Sequence, residues 1–341
     1  MKEIRTQDAV GHILCHDITQ IVKGVTKDAA FRKGHIVTEE DIPLLLSLGK
    51  ENLYVWEKQE GMLHENEAAE ILYGLCAGKY MSPSEVKEGK IEVIATCDGL
   101  LLVDTERLYG INRLGEMMVA TRHGGFAVRK GDKLAGTRII PLVIERQKME
   151  AAKAIGNGKP LLALLPFAEK KAGIVTTGSE VYHGRIADTF TPVIEDKLAE
   201  FGAKVFWKVT LPDAPDDITA AIISMIEDGA EMVFCTGGMS VDPDDRTPLA
   251  IRNTSAKIVS YGAPVLPGAM FMLAYYEGKT PIVGLPGCVM YAKRTIFDLV
   301  LPRLIADAPV SAEVLASLGH GGLCLNCETC AYPNCGFGKG V

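Results

Sequence analysis

Three short apolar runs, each ending in a glycine-bearing turn, constrain the fold of this chain more than any other feature of its sequence. Residues 173–180 read Gly-Ile-Val-Thr-Thr-Gly-Ser-Glu, and the same pattern recurs at 234–238 and at 282–287. Amphipathic segments of helical length separate these runs, and strands that alternate with helices predict a parallel sheet. Ligands of such sheets bind beyond the carboxyl ends of the strands. The glycine turns are therefore the predicted site.

The rest of the chain divides into segments of different character. Residues 1–80 mix short strands with helices, and residues 81–145 contain strands separated by glycine turns, which predicts a small β-rich domain. A helical linker at 146–169 leads to an α/β domain at 170–307. For that domain we predict a three-layer, mostly parallel sheet with helices on both faces. Residues 308–341 form a cysteine-rich tail.

Charge and hydropathy argue against several classes of protein. The chain has 48% hydrophobic and 23% charged residues, as ordinary globular proteins do. Its net charge of -7 argues against wholesale nucleic-acid binding, which needs a basic face. Apolar runs fall short of the roughly 20 residues that span a bilayer, and residues 1–5 are charged where a signal peptide needs an apolar core. We therefore expect a cytoplasmic protein without nucleic-acid or membrane partners.

Glycine turns at helix starts attract phosphate, because partial positive charge and free backbone N–H donors converge there. Three turns of this chain offer such donors: Thr177-Gly178-Ser179, Gly237-Gly238 and Pro286-Gly287. A single glycine more often only marks the end of a strand. Three turns at the same predicted sheet edge favour an anionic ligand.

Carboxylates follow the same strand ends. They would repel a phosphate unless Mg2+ bridges the two groups or the carboxylates accept hydrogen bonds from a polar ring of the ligand. The alternative for several of them is helix capping. Asp188 precedes a predicted helix, and for Asp213 the capping and functional interpretations are equally good. Glu180 and Asp245 have no evident capping duty in the sequence. We interpret these two as functional.

Six motifs occur in an order that resembles the molybdopterin-binding domain of molybdenum-cofactor biosynthesis proteins, the MoCF type. The resemblance covers about residues 170–307, and residues 31–49 also resemble part of the molybdenum insertase of the MoeA and gephyrin E-domain type. The motifs lie at 177–180, 184–189, 236–240, 245–248, 267–268 and 284–287.

This resemblance implies binding of molybdopterin or its adenylylated form, and insertion of molybdate with Mg2+ assistance and hydrolysis of the adenylate. It implies catalytic roles for Glu180, Asp213 and Asp245. It also implies a homo-oligomer, a dimer in this family, and a molybdoenzyme or its chaperone as partner. The molybdopterin-binding residues that it implies are Thr177, Gly178, Ser179, Asp188, Thr236, Gly237, Gly238, Ser240, Thr247, Pro267, Gly268, Pro286 and Gly287.

The sequence departs from the insertase pattern in several places. No lysine flanks Pro267-Gly268, Cys288-Val289 stands where the family has Asn-Pro, and the cysteine tail stands in place of the family's small C-terminal β domain. Two alternatives therefore stay open. One is a molybdopterin adenylyltransferase, since residues 245–248 also resemble the Asp-x-Thr-Pro motif of that enzyme type. The other is a non-catalytic molybdopterin carrier or sensor with a metal- or redox-responsive tail.

The tail carries four cysteines spaced C-x2-C-x2-C-x4-C: Cys324, Cys327, Cys330 and Cys335. In a reducing compartment such clustering indicates metal rather than disulfides. The thiols can close around zinc or an iron–sulfur cluster, although the last gap is one residue longer than in ferredoxins. A redox-labile terminus without metal is the alternative. Because the tail follows the last predicted helix, Val289–Ile305, we expect few core contacts to depend on it.

Overall fold

The computed structural model describes residues 2–22, 26–55, 60–240 and 245–340. The chain forms two compact units, each built from three segments. The first unit comprises Met1–Thr96, Val103–Arg122 and Lys130–Ala163, and the second comprises Cys97–Leu102, His123–Arg129 and Leu164–Val341. This division differs from the boundaries expected from the sequence, because two pieces of the predicted β-rich domain and the whole cysteine tail lie in the second unit.

Strands and helices alternate through most of the described chain. Every helix among the described residues is too short or too polar to span a bilayer. The strands are β1 (Lys2–Arg5), β2 (Ile18–Val22), β3 (Thr26–Phe31), β4 (Asn52–Val55), β5 (Met62–His64), β6 (Met81–Pro83), β7 (Lys90–Ala95), β8 (Gly99–Val103), β9 (Met117–Thr121), β10 (Phe126–Val128), β11 (Lys133–Ile139), β12 (Val143–Glu145), β13 (Leu162–Pro166), β14 (Lys171–Thr177), β15 (Lys204–Leu211), β16 (Met232–Thr236), β17 (Lys257–Tyr261), β18 (Met272–Tyr276) and β19 (Thr280–Leu285). The helices are α1 (Ile42–Ser47), α2 (Glu65–Cys76), α3 (Thr105–Asn112), α4 (Arg146–Gly156), α5 (Ser179–Tyr182), α6 (Phe190–Ala199), α7 (Pro215–Glu227), α8 (Thr247–Asn253), α9 (Ile296–Ile305) and α10 (Ala312–Ser317), with 3-10 helices at Thr6–Asp8, Glu39–Asp41 and Gly287–Met290.

The first unit is built on antiparallel pairing. Strands β6, β7, β11 and β9 form a four-stranded sheet in that order, and β1–β4, β2–β3 and β5–β12 form two-stranded sheets. Helix α2 packs on β7 and β11. It begins where Asn66 N–H donates to His64 Nδ1 (3.2 Å) and His64 N–H donates to the Glu67 carboxylate (2.9 Å). These reciprocal bonds satisfy N–H groups that a helix start leaves unpaired.

The sheet of the second unit has the order β15-β14-β16-β19-β18-β17. Strands β15, β14, β16 and β19 run parallel, β18 is antiparallel to β19, and β17 is antiparallel to β18. The predicted mostly parallel sheet is confirmed. The chain passes from β14 to β15 on one side and then to β16 on the other side of β14. In open α/β sheets such a reversal of strand order opens a crevice at the carboxyl ends of the strands.

Alternate residues of this sheet face two separate cores. Ile174 and Phe234 pack with residues of α6 and α9, whereas Val175 and Cys235 pack with residues of α7 and α8. Because neighbouring residues of a strand point to opposite faces, the two helix pairs lie on opposite sides of the sheet. The predicted three-layer arrangement is confirmed.

The last helix on this sheet begins later than the sequence predicts. Instead of one helix over Val289–Ile305, the chain forms the 3-10 helix Gly287–Met290 and then α9 from Ile296. Thr295 begins α9 as its cap, since its hydroxyl accepts the N–H of Phe297 (3.2 Å). The spacing of the hydrophobic residues continues across this break. For that reason the sequence pattern predicts one helix where the structure has two elements.

A buried ion pair links α6 to α9. Its carboxylate is Asp298, which the helical pattern of the sequence places on a polar face but which is only 6% exposed. Its Oδ1 accepts hydrogen bonds from Lys197 Nζ and from Arg294, the latter at 2.7 Å. A carboxylate can be buried here because both cations and the backbone N–H of Thr295 compensate its lost hydration.

The cysteine tail packs into the second unit, and the expectation that few core contacts involve it is wrong. Phe337 is 4% exposed and belongs to the core that contains α9. The Tyr332 hydroxyl donates to the Asp298 carbonyl (3.1 Å), and Cys324 N–H donates to the Leu266 carbonyl (2.8 Å). The aromatic residues of the tail are isolated among cysteines and glycines, so no periodicity in the sequence marks them as core.

Candidate functional site

A crevice of about 470 Å³ lies beyond the carboxyl ends of β16 and β19. It brings together residues from the second and third predicted glycine turns and from the loop before α8. Its lining residues are Gly237, Gly238, Met239, Ser240, Asp245, Ala269, Met270, Pro286, Gly287, Cys288, Met290 and Tyr291. Six of the residues predicted from the sequence therefore share one crevice: Gly237, Gly238, Ser240, Asp245, Pro286 and Gly287.

The turn after β16 has room only for glycine. Gly237 has a φ of +81°, and a Cβ there would lie 2.1 Å from the carbonyl oxygen of Thr177. Gly238 has a φ of +54°, and its Cβ would lie 3.0 Å from Oγ1 of Thr247. At Gly237 the neighbouring backbone leaves no space for a Cβ, and at Gly238 the positive φ and the nearby hydroxyl strain any side chain. The backbone of the turn consequently lines the crevice without side-chain cover.

Thr177 and Thr247 tie the first turn to the second. Their Oγ1 atoms are 3.0 Å apart, and Thr247 Oγ1 donates to the carbonyl of Gly237 (2.8 Å). The backbone N–H of Thr247 donates to the carbonyl of Gly238 (3.2 Å). Both threonines are buried. Their hydrogen bonds stabilise the turn. Direct contact of these two threonines with a ligand stays a prediction.

Asp245 holds the loop that follows the turn. Its Oδ2 accepts the backbone N–H of Ser240 at 2.8 Å, and its half-buried side chain lines the crevice. The sequence shows no structural duty for this residue, whereas the structure shows one that is local to the loop. Asp242 and Asp244, which also follow β16, lie outside the described residues.

Glu180 and Asp213 lie at the first turn and are not among the described residues that line the crevice. Asp213 Oδ2 accepts the N–H of Ser179 (2.9 Å) and its hydroxyl (3.1 Å), at the start of α5. Asp213 therefore bonds to the start of α5, whereas the helix that follows it, α7, has no side-chain hydrogen bond at its cap. Glu180 is exposed on α5, after Gly178 with a φ of +134°. The three predicted catalytic carboxylates thus do not line one crevice, and the roles of Glu180 and Asp213 stay predictions.

Asp188 caps helix α6. Its Oδ1 accepts the backbone N–H groups of Phe190 (2.9 Å) and Thr191 (3.1 Å), and the Thr176 hydroxyl donates to Oδ2 (3.2 Å). Burial acts to raise the pKa of Asp188, but the hydrogen bonds from Thr191, Phe190 and Thr176 together outweigh it and lower that pKa. Its part in ligand binding stays a prediction.

Asp188→Ala is expected to lower the free energy of unfolding by about 1 kcal/mol at neutral pH, the usual cost of losing a helix cap. Because the folded-state pKa of Asp188 is lowered, this stabilisation is complete above the unfolded pKa of about 3.9. It is lost as the pH falls through the folded pKa. Urea denaturation from pH 7 downward measures it, with Asp188→Asn as the control that still caps. A difference from the parent that stays constant into acid would contradict the electrostatic part of this account.

Three further predicted residues lie outside the lining of the crevice. Thr236 Oγ1 is buried at the end of β16 and has no hydrogen-bond partner among the described residues. Pro267 lines a different cavity, that of the cysteine tail. Gly268 is buried, and a Cβ there would lie 2.4 Å from Cγ2 of Ile296. Pro267-Gly268 packs against the start of α9. The next two residues, Ala269 and Met270, line the crevice.

Sequence reasoning misses the apolar wall of the crevice. Met239, Met270, Met290 and Tyr291 supply it, and each lies within a few residues of a predicted glycine turn, which is the signal that could have identified them. Burial raises the pKa of the Cys288 thiol in the same wall. None of the described lining residues is basic. An anion here would therefore meet backbone N–H groups rather than lysine or arginine.

All four tail cysteines line a second cavity, of about 510 Å³: Cys324, Cys327, Cys330 and Cys335. In the part of the chain that the structure describes, no three His, Cys, Asp or Glu side chains converge as they would around one metal ion. The four cysteines thus do not form a ready-made site for a single ion. Their predicted binding of zinc or an iron–sulfur cluster stays a prediction.

Family comparisons assign two segments of the chain. Residues 173–306 match the model described as "Probable molybdopterin binding domain", and residues 3–57 match a domain of unknown function (DUF8806). The second match covers the segment that resembles the insertase and gives it no function. The first coincides with the sheet and the glycine turns of the second unit.

Individual relatives match only parts of their own length. CinA-like proteins of Mycobacterium leprae and of Mycobacterium tuberculosis H37Rv are 38% and 39% identical over 77 residues, which is 23% of this chain and 18% of each relative. The chain therefore spans about a fifth of the length of the curated relatives that it matches.

Solved structures match over a larger share of this chain. The molybdopterin biosynthesis enzyme MoaB from Thermus thermophilus is 24% identical, with a TM-score of 0.34 over 40% of this chain and 91% of that chain. CinA from Thermoplasma acidophilum is 19% identical, with a TM-score of 0.35 over 40% of this chain and 99% of that chain. On the family match, residues 173–306 belong to the molybdopterin-binding domain family of molybdenum-cofactor biosynthesis.

Proposed function

We propose that the crevice beyond β16 and β19 binds the phosphate of molybdopterin or of its adenylylated form. The observation that carries this proposal is the turn Gly237-Gly238, whose backbone lines the crevice and admits no side chain. Bare backbone N–H groups at strand ends are suited to phosphate. The family to which residues 173–306 belong supports the same ligand.

Within this function we propose an enzyme that inserts molybdate into adenylylated molybdopterin with the help of Mg2+. The crevice offers one carboxylate, Asp245, and no basic side chain among its described lining residues, so a phosphate there needs a cation. Mg2+ is typically held by one or two carboxylates together with substrate phosphates. This donor set fits, and Asp245 is the residue that would hold the ion. When bound, Mg2+ would neutralise phosphate charge and polarise the adenylate.

The chain's own residues position the ligand and shield it. Asp245 holds Ser240 at the edge of the crevice by accepting its backbone N–H. The methionines give one side of the crevice an apolar wall, and electrostatic contacts are stronger beside apolar groups than in water. We propose that Glu180 and Asp213 act on a part of the ligand that reaches the first turn. A dimer and a molybdoenzyme or its chaperone as partner belong to the same proposal.

A second candidate is adenylyl transfer to molybdopterin, because Asp245-Arg246-Thr247-Pro248 leads directly from the crevice into α8. A carrier without catalysis is the third. Two incubations separate them, one with adenylylated molybdopterin, Mg2+ and molybdate, and one with free molybdopterin, ATP and Mg2+. AMP release with cofactor formation supports insertion, and adenylylation of free molybdopterin by ATP supports transfer. Binding without either reaction supports the carrier.

Gly238→Val is expected to weaken molybdopterin binding roughly tenfold or more, the effect of losing one hydrogen bond to a charged group worth about 1.5–3 kcal/mol. A β-branched side chain at a φ of +54° would shift the turn and fill the crevice. The matched control is Gly202→Val, at a φ of +76° with open space around it and outside the crevice lining. Calorimetric titration of both variants measures the difference. Equal affinities would place the ligand elsewhere.

A further inference from the structure

The cavity of the cysteine tail has no part in the proposed function, yet at about 510 Å³ it is larger than the crevice. We infer that it holds an iron–sulfur cluster of the [4Fe–4S] class, with Cys324, Cys327, Cys330 and Cys335 as ligands. The inference rests on the way the tail is anchored, the distribution of its thiols and the cations in the cavity wall. It does not depend on what the crevice binds.

The cysteine run is anchored to the α/β core at both ends. At its start, Cys324 N–H donates to the Leu266 carbonyl (2.8 Å). Towards its end, the Tyr332 hydroxyl donates to the Asp298 carbonyl (3.1 Å) and Phe337 is buried in the core. A segment anchored at both ends has less conformational freedom to lose when its thiols bind a ligand than a loose terminus has.

The thiols surround a volume instead of a point. Cys327 and Cys330 are exposed on the outer loop, while Cys324 and Cys335 are half-buried on the core side. All four line the same cavity, but the described thiols do not converge on a single-ion position. A zinc ion would need every sulfur about 2.3 Å from one centre. A four-iron cluster gives each thiolate its own iron, and four cysteines are its usual ligands.

Two cations stabilise this arrangement. Lys293 and Arg294 line the cavity, and Lys293 Nζ donates to the Glu328 carbonyl (2.6 Å) in the loop between Cys327 and Cys330. Arg294 lies over the ring of Tyr332, with its Cζ 4.8 Å from the ring centroid. These two contacts tie the loop of the outer cysteines and the aromatic ring of the tail to the cavity wall.

The cluster would lie beside the ligand crevice. Tyr291 lines both cavities, and the residues that follow it line the cavity of the tail. The chain runs from the 3-10 helix Gly287–Met290 at the crevice to Lys293 at the tail cavity. Only a few residues therefore separate the two walls. The metal centre is thereby placed as a fixed neighbour of the crevice.

The test uses full-length protein reconstituted anaerobically with ferric iron, sulfide and a thiol, which reduces half of the iron to the ferrous state. We expect about four iron and four sulfide per chain, with a broad visible absorption that dithionite bleaches. The double variant Cys327→Ser/Cys330→Ser should lose iron, sulfide and absorption. Both residues are exposed, so serine there leaves core packing intact, as circular dichroism and melting will check. Cys97→Ser, which lies outside the cavity, is the matched control and should keep the full iron content.

Iron at trace level after reconstitution would overturn the inference, as would one zinc per chain that excludes iron. A full cluster in the correctly folded double variant would also overturn it. If the double variant does not fold, the single variants Cys327→Ala and Cys330→Ala carry the same test. Lys293→Met should release iron to a chelator several times faster than the parent, because the loop between the outer cysteines loses its bond to Lys293.

Discussion

Asp245→Asn is expected to melt like the parent and to release AMP from adenylylated molybdopterin about 10²-fold more slowly, the usual effect of losing one positioned catalytic group. The Asp245 carboxylate accepts the N–H of Ser240 at 2.8 Å. The amide oxygen of asparagine can accept the same bond, so the contact with Ser240 is kept. The amide lacks the negative charge needed to hold Mg2+. Single-turnover AMP release across a range of Mg2+ concentrations measures the effect.

Asp245→Ala is the comparison that separates charge from loop structure. It removes both the charge and the bond to Ser240, and it should lower the melting temperature as well as AMP release. Unimpaired AMP release by Asp245→Asn, with the pterin still bound, would leave this carboxylate as a brace of the loop. The carrier would then be the better account of the protein.

Phe337→Ala is expected to lower the free energy of unfolding of the second unit by about 3–5 kcal/mol, the usual cost of truncating a buried phenylalanine. Phe337 is 4% exposed and packs in the core with residues of α9. The next residue, Gly338, lies so close to Leu299 that a Cβ there would be 2.3 Å from its Cδ2. The core therefore has little freedom to close the resulting cavity. Urea denaturation measures the change in the free energy of unfolding. Metal-free protein is used so that the change reflects the packing of Phe337 alone.

Leu325→Ala is the matched control for this prediction. Leu325 belongs to the same tail but is 78% exposed, so its truncation should change stability by no more than about 0.5 kcal/mol. If the two variants were equally stable, the tail would be the loosely attached segment that its sequence suggested.

The sequence predicted the sheet and the crevice because both depend on local patterns. Apolar runs that end in glycine identify buried parallel strands, and a turn such as Gly237-Gly238 needs glycine for its backbone alone. Strand ends of a parallel sheet necessarily meet at one edge. The position of Asp245 after such a turn was therefore enough to predict it as a crevice residue.

The remaining features depend on contacts between distant residues, which a pattern within one segment does not contain. Asp298 is buried because Lys197, which lies 101 residues earlier, supplies its partner. Asp213 bonds to the start of α5 because Ser179 lies at a neighbouring strand end. Phe337 is core only because α9 leaves a place for its ring. In each case the partner is distant in the sequence, and the local pattern therefore does not show it.

The second unit draws part of its core from a strand that is synthesised long before the sheet. Phe126 of β10 packs in the same cluster of buried residues as Phe337. At translation rates of about 5–20 residues per second, Phe126 leaves the ribosome on the order of ten to forty seconds before Phe337 does. The rate of protein synthesis, rather than the intrinsic folding rate, is therefore expected to set when this domain matures. Until then the nascent chain exposes an aromatic surface of the kind that chaperones shield from aggregation.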